Sequence, residues 1–363
     1  MKIALIGRFE EGEVVAGPER VARELLFELK KLNPETVFIE YFFSGYANST
    51  IFKKLIGKEF VQENSIIRLG IFPLIIFLVK EKFEIIHIIN LQRFILILFL
   101  LKPFLKSKIT ATLHGFLRFE VPQKNFWIKR YFIDLWVEKL IIKKCQLLVF
   151  PSQLIFETFK KHYHVLEKKY KIIPNGVGKI FKVQNRSFPT IKNSLRIIFY
   201  TSSIDASKKG LEELIESLNN AKYKIELFVI GEEGKAISSV NLEIVFAGKM
   251  SHQTLVKFLS DKHFVIKSGV FDTFSIFIAE CMTMGIIPII NENVGIKDYI
   301  ENKVNGFVYN KSSSTDLPKL LEEIFEMKYD LEVISAKAKK ISEELNWEII
   351  AKKYYTSFQS LIK

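Results

Sequence analysis

Residues 271–290, FDTFSIFIAECMTMGIIPII, constrain the fold more than any other stretch, because they predict a helix that runs directly into a strand. Four of these residues share one helix face by three- and four-residue spacing: Ile276, Ala279, Glu280 and Thr283. Gly285 stands where a left-handed residue ends a helix, and the apolar run behind it is typical of a short buried strand. The stretch therefore predicts a helix with a buried strand behind it.

The start of this helix carries two oxygen-bearing side chains, Asp272 and Ser275, and either is expected to cap it. The free backbone N–H groups at Ser275 and Ile276, together with the helix dipole, predict an anion site suited to a diphosphate. Glu280 lies about one turn further on, where its carboxylate is placed to accept the hydroxyls of a ribose. The sequence therefore indicates a site for a nucleotide diphosphate.

Short apolar strands alternate with helices along the rest of the chain, which predicts parallel sheets with helices on both faces. KIALIG (2–7) ends in glycine and leads through a loop into a helix, the opening of a nucleotide-binding α/β domain, but it lacks the GxGxxG fingerprint of a dinucleotide cofactor. The stretch after VFIEYFF reads as variable and polar to about residue 65. After a polar linker at 183–194, LRIIFYTSS opens a second α/β domain. We expect an N-terminal Rossmann-like domain at 1–180, a second α/β domain at 181–345 and a final amphipathic helix at 346–363.

Two histidines, His87 and His114, lie at or near the carboxyl ends of predicted strands, where open α/β sheets place ligands. His87 is flanked by apolar residues, a setting more typical of a hydrogen-bonded core histidine than of a ligand-binding one. His114 is therefore the stronger candidate for a site residue.

The net charge of +13 is confined to the first half of the chain. Residues 1–185 hold 30 Lys and Arg against 17 Asp and Glu, whereas residues 186–363 hold 23 of each. A basic face on one domain predicts an anionic partner there, such as a phospholipid surface or a polyprenyl-diphosphate carrier, and a general lysine bias is the alternative. The helix predicted at 127–145 mixes aromatics with lysines, which fits an interfacial helix and equally a core helix with a basic solvent face. No nucleic-acid-binding module is visible, so nucleic acid is not an expected partner.

Two apolar runs, at 71–79 and 94–101, are shorter than the roughly 18–20 apolar residues of a spanning helix, and we expect buried helices there. The N-terminal apolar run is too short for a signal peptide. Cys145 and Cys281 stand in apolar surroundings without metal-ligand spacing, which favours small core residues in a reducing compartment.

The acid, helix and glycine of residues 272–285 resemble the signature of the retaining glycosyltransferases of the family-four type, the glycosyl transferases group 1. That family carries Glu-Gly-Phe-Gly-(x)4-Glu-Ala-Met-Ala-x-Gly. This chain keeps the spacing and four of the residues: Phe274, Glu280, Met282 and Gly285. It departs where the family has its first Glu and its two glycines, which are here Asp272, Thr273 and Ser275.

Further elements of the same family occur in the same order along the chain. Gly17 begins a partial match to Gly-Gly-x-Glu-Arg, and residues 173–177 read Ile-Pro-Asn-Gly-Val, the turn that joins the two domains in the family. Lys209 begins the family's Lys-Gly pair, with Lys208 beside it. The Gly-Arg that precedes this pair in the family is missing, because residues 202–205 read Ser-Ser-Ile-Asp.

The resemblance implies the GT-B fold, in which two Rossmann-like, doubly wound parallel-sheet domains face each other across a cleft. It implies that the domain at 1–180 lies on the acceptor side, that the domain at 181–345 binds the nucleotide sugar, and that the helix at 346–363 returns to the first domain. It implies a nucleotide-sugar-dependent hexosyltransferase that retains the anomeric configuration and acts in surface polysaccharide or glycolipid assembly. Its partners would be a nucleotide diphosphate sugar as donor and a glycan or a polyprenyl- or other lipid-linked acceptor. It would be cytoplasmic, or peripheral on the inner face of the cell membrane. No cofactor or metal is expected, because lysine and a helix dipole would carry the diphosphate charge and no Asp-x-Asp pair is present.

The resemblance also implies residue roles. His114 would position the sugar or the acceptor, Asp272 would hold hydroxyls of the transferred sugar, and Lys209 would stabilise the leaving diphosphate. Donor-binding residues are expected at five further positions: Gly17, Lys208, Ser275, Ile276 and Glu280.

Two other classes of function stay open. A nucleotide-sugar 2-epimerase or a phosphorylase would share the architecture, although the acid pair and the Ile-Pro-Asn-Gly-Val segment argue against both. A degenerate transferase acting as a non-catalytic binding or scaffold subunit would fit the missing Arg, the two replaced glycines and Asp272. A lysine is a point charge and does not replace the two-pronged guanidinium of that Arg.

Overall fold

The structure is a computed structural model, and it describes residues 1–9, 17–42, 50–61, 65–90, 94–115, 128–163, 169–182, 186–201, 204–219 and 221–363. For residues 18, 128–132 and 204–209 it describes the backbone only. The chain packs as two compact units, one made of Met1–Pro174 with Trp347–Lys363 and the other of Asn175–Asn346. The change of unit after Pro174 falls inside the Ile-Pro-Asn-Gly-Val segment.

An eight-stranded sheet forms the first unit. Its strands are β1 (Ile3–Gly7), β2 (Val37–Tyr41), β3 (Lys58–Val61), β4 (Ile66–Leu69), β5 (Ile85–Ile88), β6 (Lys108–Thr112), β7 (Leu147–Phe150) and β8 (Tyr170–Ile172). The helices described in this unit are α1 (Gly17–Leu32), α2 (Ile51–Ile56), α3 (Ile71–Glu81), α4 (Ile95–Leu101, continued by a 3-10 turn at Lys102–Phe104), α5 (Ile128–Lys144), α6 (Gln153–Tyr163) and the last helix of the chain (Trp347–Ile362). The strand order is β3-β4-β2-β1-β5-β6-β7-β8, and every pairing is parallel except that of β3 with β4.

Helices cover both faces of this first sheet, because successive side chains of a strand point to opposite sides. Ala4 and Ile6 of β1 face the core formed with α3, α4, α5 and α6. On the other face, the ring of His87 lies 5.3 Å from that of Tyr354 in the last helix, and α1 also packs against that helix. The last helix therefore packs on the unit that begins the chain.

A seven-stranded sheet forms the second unit. Its strands are β9 (Ser194–Tyr200), β10 (Lys224–Ile230), β11 (Ile237–Ser238), β12 (Leu242–Gly248), β13 (Phe264–Lys267), β14 (Ile287–Asn291) and β15 (Phe307–Tyr309). The helices described in it are α7 (Ile204–Asn219), α8 (His252–Leu259), α9 (Ile276–Thr283), α10 (Asp316–Phe325), α11 (Leu331–Lys339) and α12 (Ile341–Glu344), with 3-10 turns at Lys179–Phe181 and Gly295–Tyr299. The last helix of the chain is α13. The strand order is β11-β12-β10-β9-β13-β14-β15, parallel except for β11 with β12.

Two separate apolar clusters cover the faces of this second sheet. Phe264 and Ile266 of β13 face one cluster, shared with α7 and α10, whereas Val265 between them faces the other, shared with α8 and α9. The sheet is therefore buried on both sides, as parallel sheets usually are.

The structure corrects three expectations about the fold. Each sheet carries one short antiparallel strand, so neither is purely parallel. The stretch expected to be variable and polar contains α2 and β3, and β4 follows directly, because short elements of about five residues leave too little periodicity to recognise. The run at 71–79 forms α3, but this helix is buried on one side only. None of the described helices is both long and apolar enough to cross a membrane.

Candidate functional site

The carboxyl ends of β9 and β13 mark the point where the strand order of the second sheet reverses. From β9 the chain passes through α7 to β10 on one side, whereas from β13 it passes through α9 to β14 on the other. Such a switch point leaves a crevice where open α/β sheets bind ligands. Lys267 ends β13 at this edge, and residues 268–275 lead from it into α9.

Asp272 is held at this edge by both its backbone and its carboxylate. Its N–H donates to the carbonyl of Asn293 at 3.1 Å, and its own carbonyl accepts from the N–H of Gly295 at 2.8 Å. In the side chain, Oδ1 accepts from the N–H of Phe274 at 3.0 Å, and Oδ2 lies 3.3 Å from Nζ of Lys267. Because 22% of the side chain stays exposed, this fixed carboxylate remains accessible to a ligand.

Lys267 is a site residue that the sequence patterns do not single out. Its ammonium lies beside Asp272 at the switch point, and 22% of its side chain is exposed. The one signal in the sequence is a lysine at the end of a predicted strand, five residues before the acid. The structure thus places a cation in the unit where the family's Arg is missing.

Neither predicted cap of α9 forms. Ser275 occupies the N-cap position with φ 70° and ψ 75°, in the left-handed region, and its side chain makes no capping hydrogen bond. A cap side chain reaches the first helical turn from extended backbone, which Ser275 does not have. Asp272 instead accepts from Phe274 within its own turn. The family has glycine at the position of Ser275, and glycine adopts positive φ without a steric penalty.

The two backbone N–H groups predicted to form an anion site lie at the start of α9. Within the part of the chain that the structure describes, the N–H groups of Ser275 and Ile276 have no hydrogen-bond partner. Both residues are partly exposed, whereas residues 277–283 behind them are buried. These two N–H groups therefore remain available to an anion at the positive end of the helix.

The end of α9 is closed by a Schellman arrangement around Gly285. Gly285 has φ 79°, and its N–H donates to the carbonyl of Met282 at 2.8 Å. The N–H of Ile286 donates to the carbonyl of Cys281 at 2.9 Å. The predicted left-handed glycine at this helix end is confirmed. Glu280, in the second turn, is fully buried, so a rigid helix holds its carboxylate about one turn from the N-terminus.

The predicted Lys-Gly pair brings α7 against the loop after β13. A Cβ on Gly210 would lie 3.0 Å from Cα of Gly269, and Oγ of Ser268 donates to the carbonyl of Gly210 at 2.7 Å. The helix backbone approaches the loop this closely because Gly210 has no side chain. The side chains of Lys208 and Lys209 lie outside the described residues, so their roles stay predictions.

The first sheet has a reversal of its own, between β1 and β5. From β1 the chain passes to α1 and β2 on one side, and from β5 through α4 to β6 on the other. Gly17 opens α1, and a Cβ added there would meet no atom within 4 Å. His114 lies two residues beyond the end of β6. Both residues therefore follow strands at the edge where this sheet would bind a ligand.

The two histidines of the first unit differ in setting. His114 is half-buried, and burial lowers its pKa to about 4, which leaves a neutral imidazole at pH 7. His87 is fully buried, with Nδ1 2.8 Å from Oγ1 of Thr110 and Nε2 3.0 Å from Oγ1 of Thr112. Burial and, secondarily, the neighbouring His114 lower the pKa of His87 to about 3. The interpretation of His87 as a core histidine is confirmed.

Asn90, just after β5, is a second residue that the sequence patterns miss. A Cβ on Gly7, the last residue of β1, would come within 2.6 Å of Oδ1 of Asn90. This oxygen is buried and has no hydrogen-bond partner among the described residues. Buried polar atoms are normally satisfied, so Asn90 offers an acceptor to a ligand at the switch point of the first sheet.

Cys145 and Cys281 are buried free thiols. Burial raises the pKa of both, to about 12 for Cys145, as expected for core residues. Among the residues described, no three His, Cys, Asp or Glu side chains are grouped so that they could hold a metal ion.

Two protein-family descriptions match this chain, one for each half. Glycosyl transferases group 1 matches residues 182–341, and Glycosyltransferase Family 4 matches residues 15–178. A curated relative, an uncharacterized glycosyltransferase of Methanocaldococcus jannaschii, is 21% identical over 230 residues. The match spans 58% of this chain and 58% of the length of that relative.

Solved structures of low sequence identity share the fold across almost the whole chain. Sucrose-phosphate synthase from Thermosynechococcus elongatus has a TM-score of 0.73 at 15% identity, covering 99% of this chain and 98% of its own. The lipopolysaccharide outer core galactosyltransferase WaaB in its apo form has a TM-score of 0.72 at 16% identity, covering 99% and 100%. Anabaena HepE in complex with UDP and glucose has a TM-score of 0.70 at 14% identity, covering 99% and 100%. The expected GT-B class of fold is confirmed.

Proposed function

The chain belongs to the glycosyltransferases that these two family descriptions cover, and on that premise we propose that it transfers a sugar from a nucleotide diphosphate sugar, with retention of the anomeric configuration. The observation that carries the proposal is the edge of the second sheet. There a fixed carboxylate, Asp272, and a cation, Lys267, lie beside the open N-terminus of α9. The carboxylate suits the hydroxyls of the sugar, and the cation and the helix N-terminus suit the negative charge of the diphosphate.

The donor occupies this edge with its parts in a definite order. Its diphosphate faces the N–H groups of Ser275 and Ile276 and the positive end of the α9 dipole. Glu280 accepts the ribose hydroxyls, and Asp272 accepts hydroxyls of the sugar to be transferred. Lys208 and Lys209 add positive charge from α7.

We assign to Lys267 the charge that the missing Arg supplies in the family. When the bond between the anomeric carbon and the diphosphate breaks, negative charge grows on the leaving diphosphate. A cation already fixed beside it stabilises that charge without having to reorganise. The ion pair with Asp272 holds the ammonium between the sugar and the diphosphate. With Lys267, Lys209 and the helix dipole in place, transfer requires no metal ion.

The acceptor is a glycan or a lipid-linked sugar, bound at the edge of the first sheet. His114, neutral at pH 7, positions the sugar or the acceptor by hydrogen bonding rather than by charge. The positive charge of the first half of the chain suits a polyprenyl-diphosphate carrier and an anionic membrane surface. We propose on this basis that the protein acts in the cytoplasm or on the inner face of the cell membrane.

A non-catalytic binding or scaffold subunit is the second candidate. It is favoured by the left-handed Ser275, which stands where the family has glycine, and by the missing Arg. Both changes alter the donor edge and leave the rest of the fold intact. A scaffold would bind the donor and never release its diphosphate.

The test is the release of nucleoside diphosphate from UDP-, GDP- and ADP-sugars, in the presence of extracted membrane acceptors and with or without EDTA. UDP-glucose comes first, because a solved structure of Anabaena HepE holds it. We expect release from one donor, unaffected by EDTA, and a loss of roughly 100-fold in Asp272→Asn. The anomeric proton signals of donor and product distinguish retention from inversion. Donor binding without release, with every acceptor tried, would favour the scaffold.

A further inference from the structure

Two helices of the first unit pack together and leave a row of apolar side chains in solvent. α2 has no buried residue at all, and within it Ile51 is 76% exposed and Phe52 70%. The exposed large apolar residues of α2, β3 and α3, here called the α2–α3 face, are Ile51, Phe52, Leu55, Ile56, Phe60, Phe72, Ile76 and Val79. Single exposed apolar residues are common on proteins, but a group on two neighbouring helices marks an interaction surface.

α3 shows the feature most clearly, because it is apolar on both sides. Leu74 and Leu78 lie on one side and are fully buried against the sheet. Phe72, Ile76 and Val79 recur at helical spacing and are 55%, 65% and 43% exposed. A surface helix normally turns polar residues to solvent, and an all-apolar helix is normally buried. The exposed side of α3 is therefore apolar enough to be buried against a partner.

The α2–α3 face is built into the fold, because close backbone contacts hold the two helices together. The N–H of Gly70, the residue before α3, donates to the carbonyl of Gly57, the residue after α2, at 2.8 Å. A Cβ on Gly70 would come within 2.7 Å of the backbone of Leu55. The backbone contacts between α2 and α3 thus fix the positions of their exposed apolar side chains.

The elements of this face carry more lysines than acids and are therefore positively charged. Five lysines lie on or next to its elements: Lys53, Lys54, Lys58, Lys80 and Lys82. None of these five has an acidic partner within the parts of the chain described. The acids nearby are engaged elsewhere, Glu59 with Arg68 at 3.5 Å and Glu81 with Lys2 at 2.5 Å.

We propose that the α2–α3 face docks on an anionic lipid bilayer. Apolar side chains beside lysines are what an interfacial helix needs, since the former enter the acyl boundary while the latter meet anionic headgroups. A second copy of the chain is disfavoured as occupant, because a symmetric contact would bring the same lysines together. α3 has 11 residues, about 16 Å of helix, so it lies in the interface and does not span a core of about 30 Å.

This docking rests on the proposed function, because its purpose is to bring the enzyme to a lipid-linked acceptor. It locates the membrane contact on a surface outside the basic helix α5.

The role of the apolar side chains is tested by co-sedimentation with vesicles of phosphatidylcholine containing 30% phosphatidylglycerol, without any sugar nucleotide. We expect Phe72→Ser with Ile76→Ser to weaken binding at least tenfold. The matched control is Val240→Ser, which removes a 95% exposed apolar side chain from the second unit and should bind as wild type.

The charged part is tested with the same vesicles and with pure phosphatidylcholine. Each lysine near an anionic surface strengthens binding about fivefold, so Lys53→Glu with Lys80→Glu should weaken it at least 25-fold. Lys235→Glu, an exposed lysine of the second unit, is the control. Equal binding to both vesicle types, or wild-type binding by both double variants, would overturn the proposal. So would a dimer in solution that the Phe72 and Ile76 substitutions dissolve. Because vesicle binding is measured without donor, a failure here is distinct from a failure of sugar transfer.

Discussion

Replacing Ser275 by glycine should stabilise the protein, although it removes a side chain. Ser275 has φ 70° and ψ 75°, which brings Cβ of an L-residue close to the following carbonyl oxygen. Its hydroxyl makes no capping hydrogen bond that the glycine variant would lose. The substitution therefore relieves strain and sacrifices little.

The magnitude follows from two opposing terms. The left-handed conformation costs an L-residue roughly 1–2 kcal/mol, and Ser275→Gly recovers that amount. Glycine has more conformational freedom in the unfolded chain, which lowers the free energy of unfolding by roughly 0.5–1 kcal/mol. With the middle value of each range, the net gain in the free energy of unfolding is about 0.75 kcal/mol. For a domain of 150–250 residues this corresponds to a rise in melting temperature of roughly 1.5–3 °C.

Urea unfolding of the wild type, Ser275→Gly and Ser275→Ala measures this gain. Alanine keeps Cβ and therefore the strain, so its free energy of unfolding should stay near that of the wild type. The difference between the glycine and alanine variants isolates the cost of Cβ at this backbone conformation. A glycine variant no more stable than the wild type, or an alanine variant equally stabilised, would refute the reasoning.

Three further predictions concern other parts of the molecule. Gly285→Ala should destabilise by about 2–3 kcal/mol in urea unfolding, because φ is 79° there and a Cβ would meet side chains of α11 within 3 Å; a loss below 1 kcal/mol would contradict this. Lys267→Met should weaken UDP binding roughly tenfold by calorimetry and leave uridine binding unchanged, whereas Lys235→Met should alter neither; equal losses for UDP and uridine would refute contact with the diphosphate. His87 has a folded pKa of about 3 against about 6.5 unfolded, so the unfolded chain binds more protons below pH 6.5 and stability falls as the pH drops from 6.5 toward 3, by up to about 1.4 kcal/mol per unit. Urea midpoints at pH 7, 6 and 5 should show a shallower slope in His87→Gln than in the wild type, and identical slopes would argue against it.

The order of helices and strands was predictable, because each long element carries its own periodicity of apolar residues. The helix and strand of residues 271–290 are found with the left-handed Gly285 at their junction. The left-handed conformation of Ser275 was not predicted, because a positive φ can be predicted from the residue type only at glycine. The glycine at that position of the family signature was the signal available.

Contacts made by loops were beyond the sequence patterns. The pairing of Lys267 with Asp272 depends on a loop whose path is set by hydrogen bonds to Asn293 and Gly295, about 20 residues further along the chain. The exposure of α3 was missed for a related reason. Periodicity shows which residues are apolar, but the number of faces that neighbours cover is decided by the tertiary structure.

The central claim is that a nucleotide sugar binds at the carboxyl edge of the second sheet, with its ribose on Glu280. The most direct measurement is the thermal unfolding midpoint with UDP-, GDP-, ADP- and CMP-sugars, for the wild type and Glu280→Gln. A ligand that binds only the folded state raises this midpoint by mass action. We predict a rise with donors of one base in the wild type and none in Glu280→Gln, provided that the variant alone unfolds cooperatively. The same rise in both proteins, or no rise with any donor, would contradict the account.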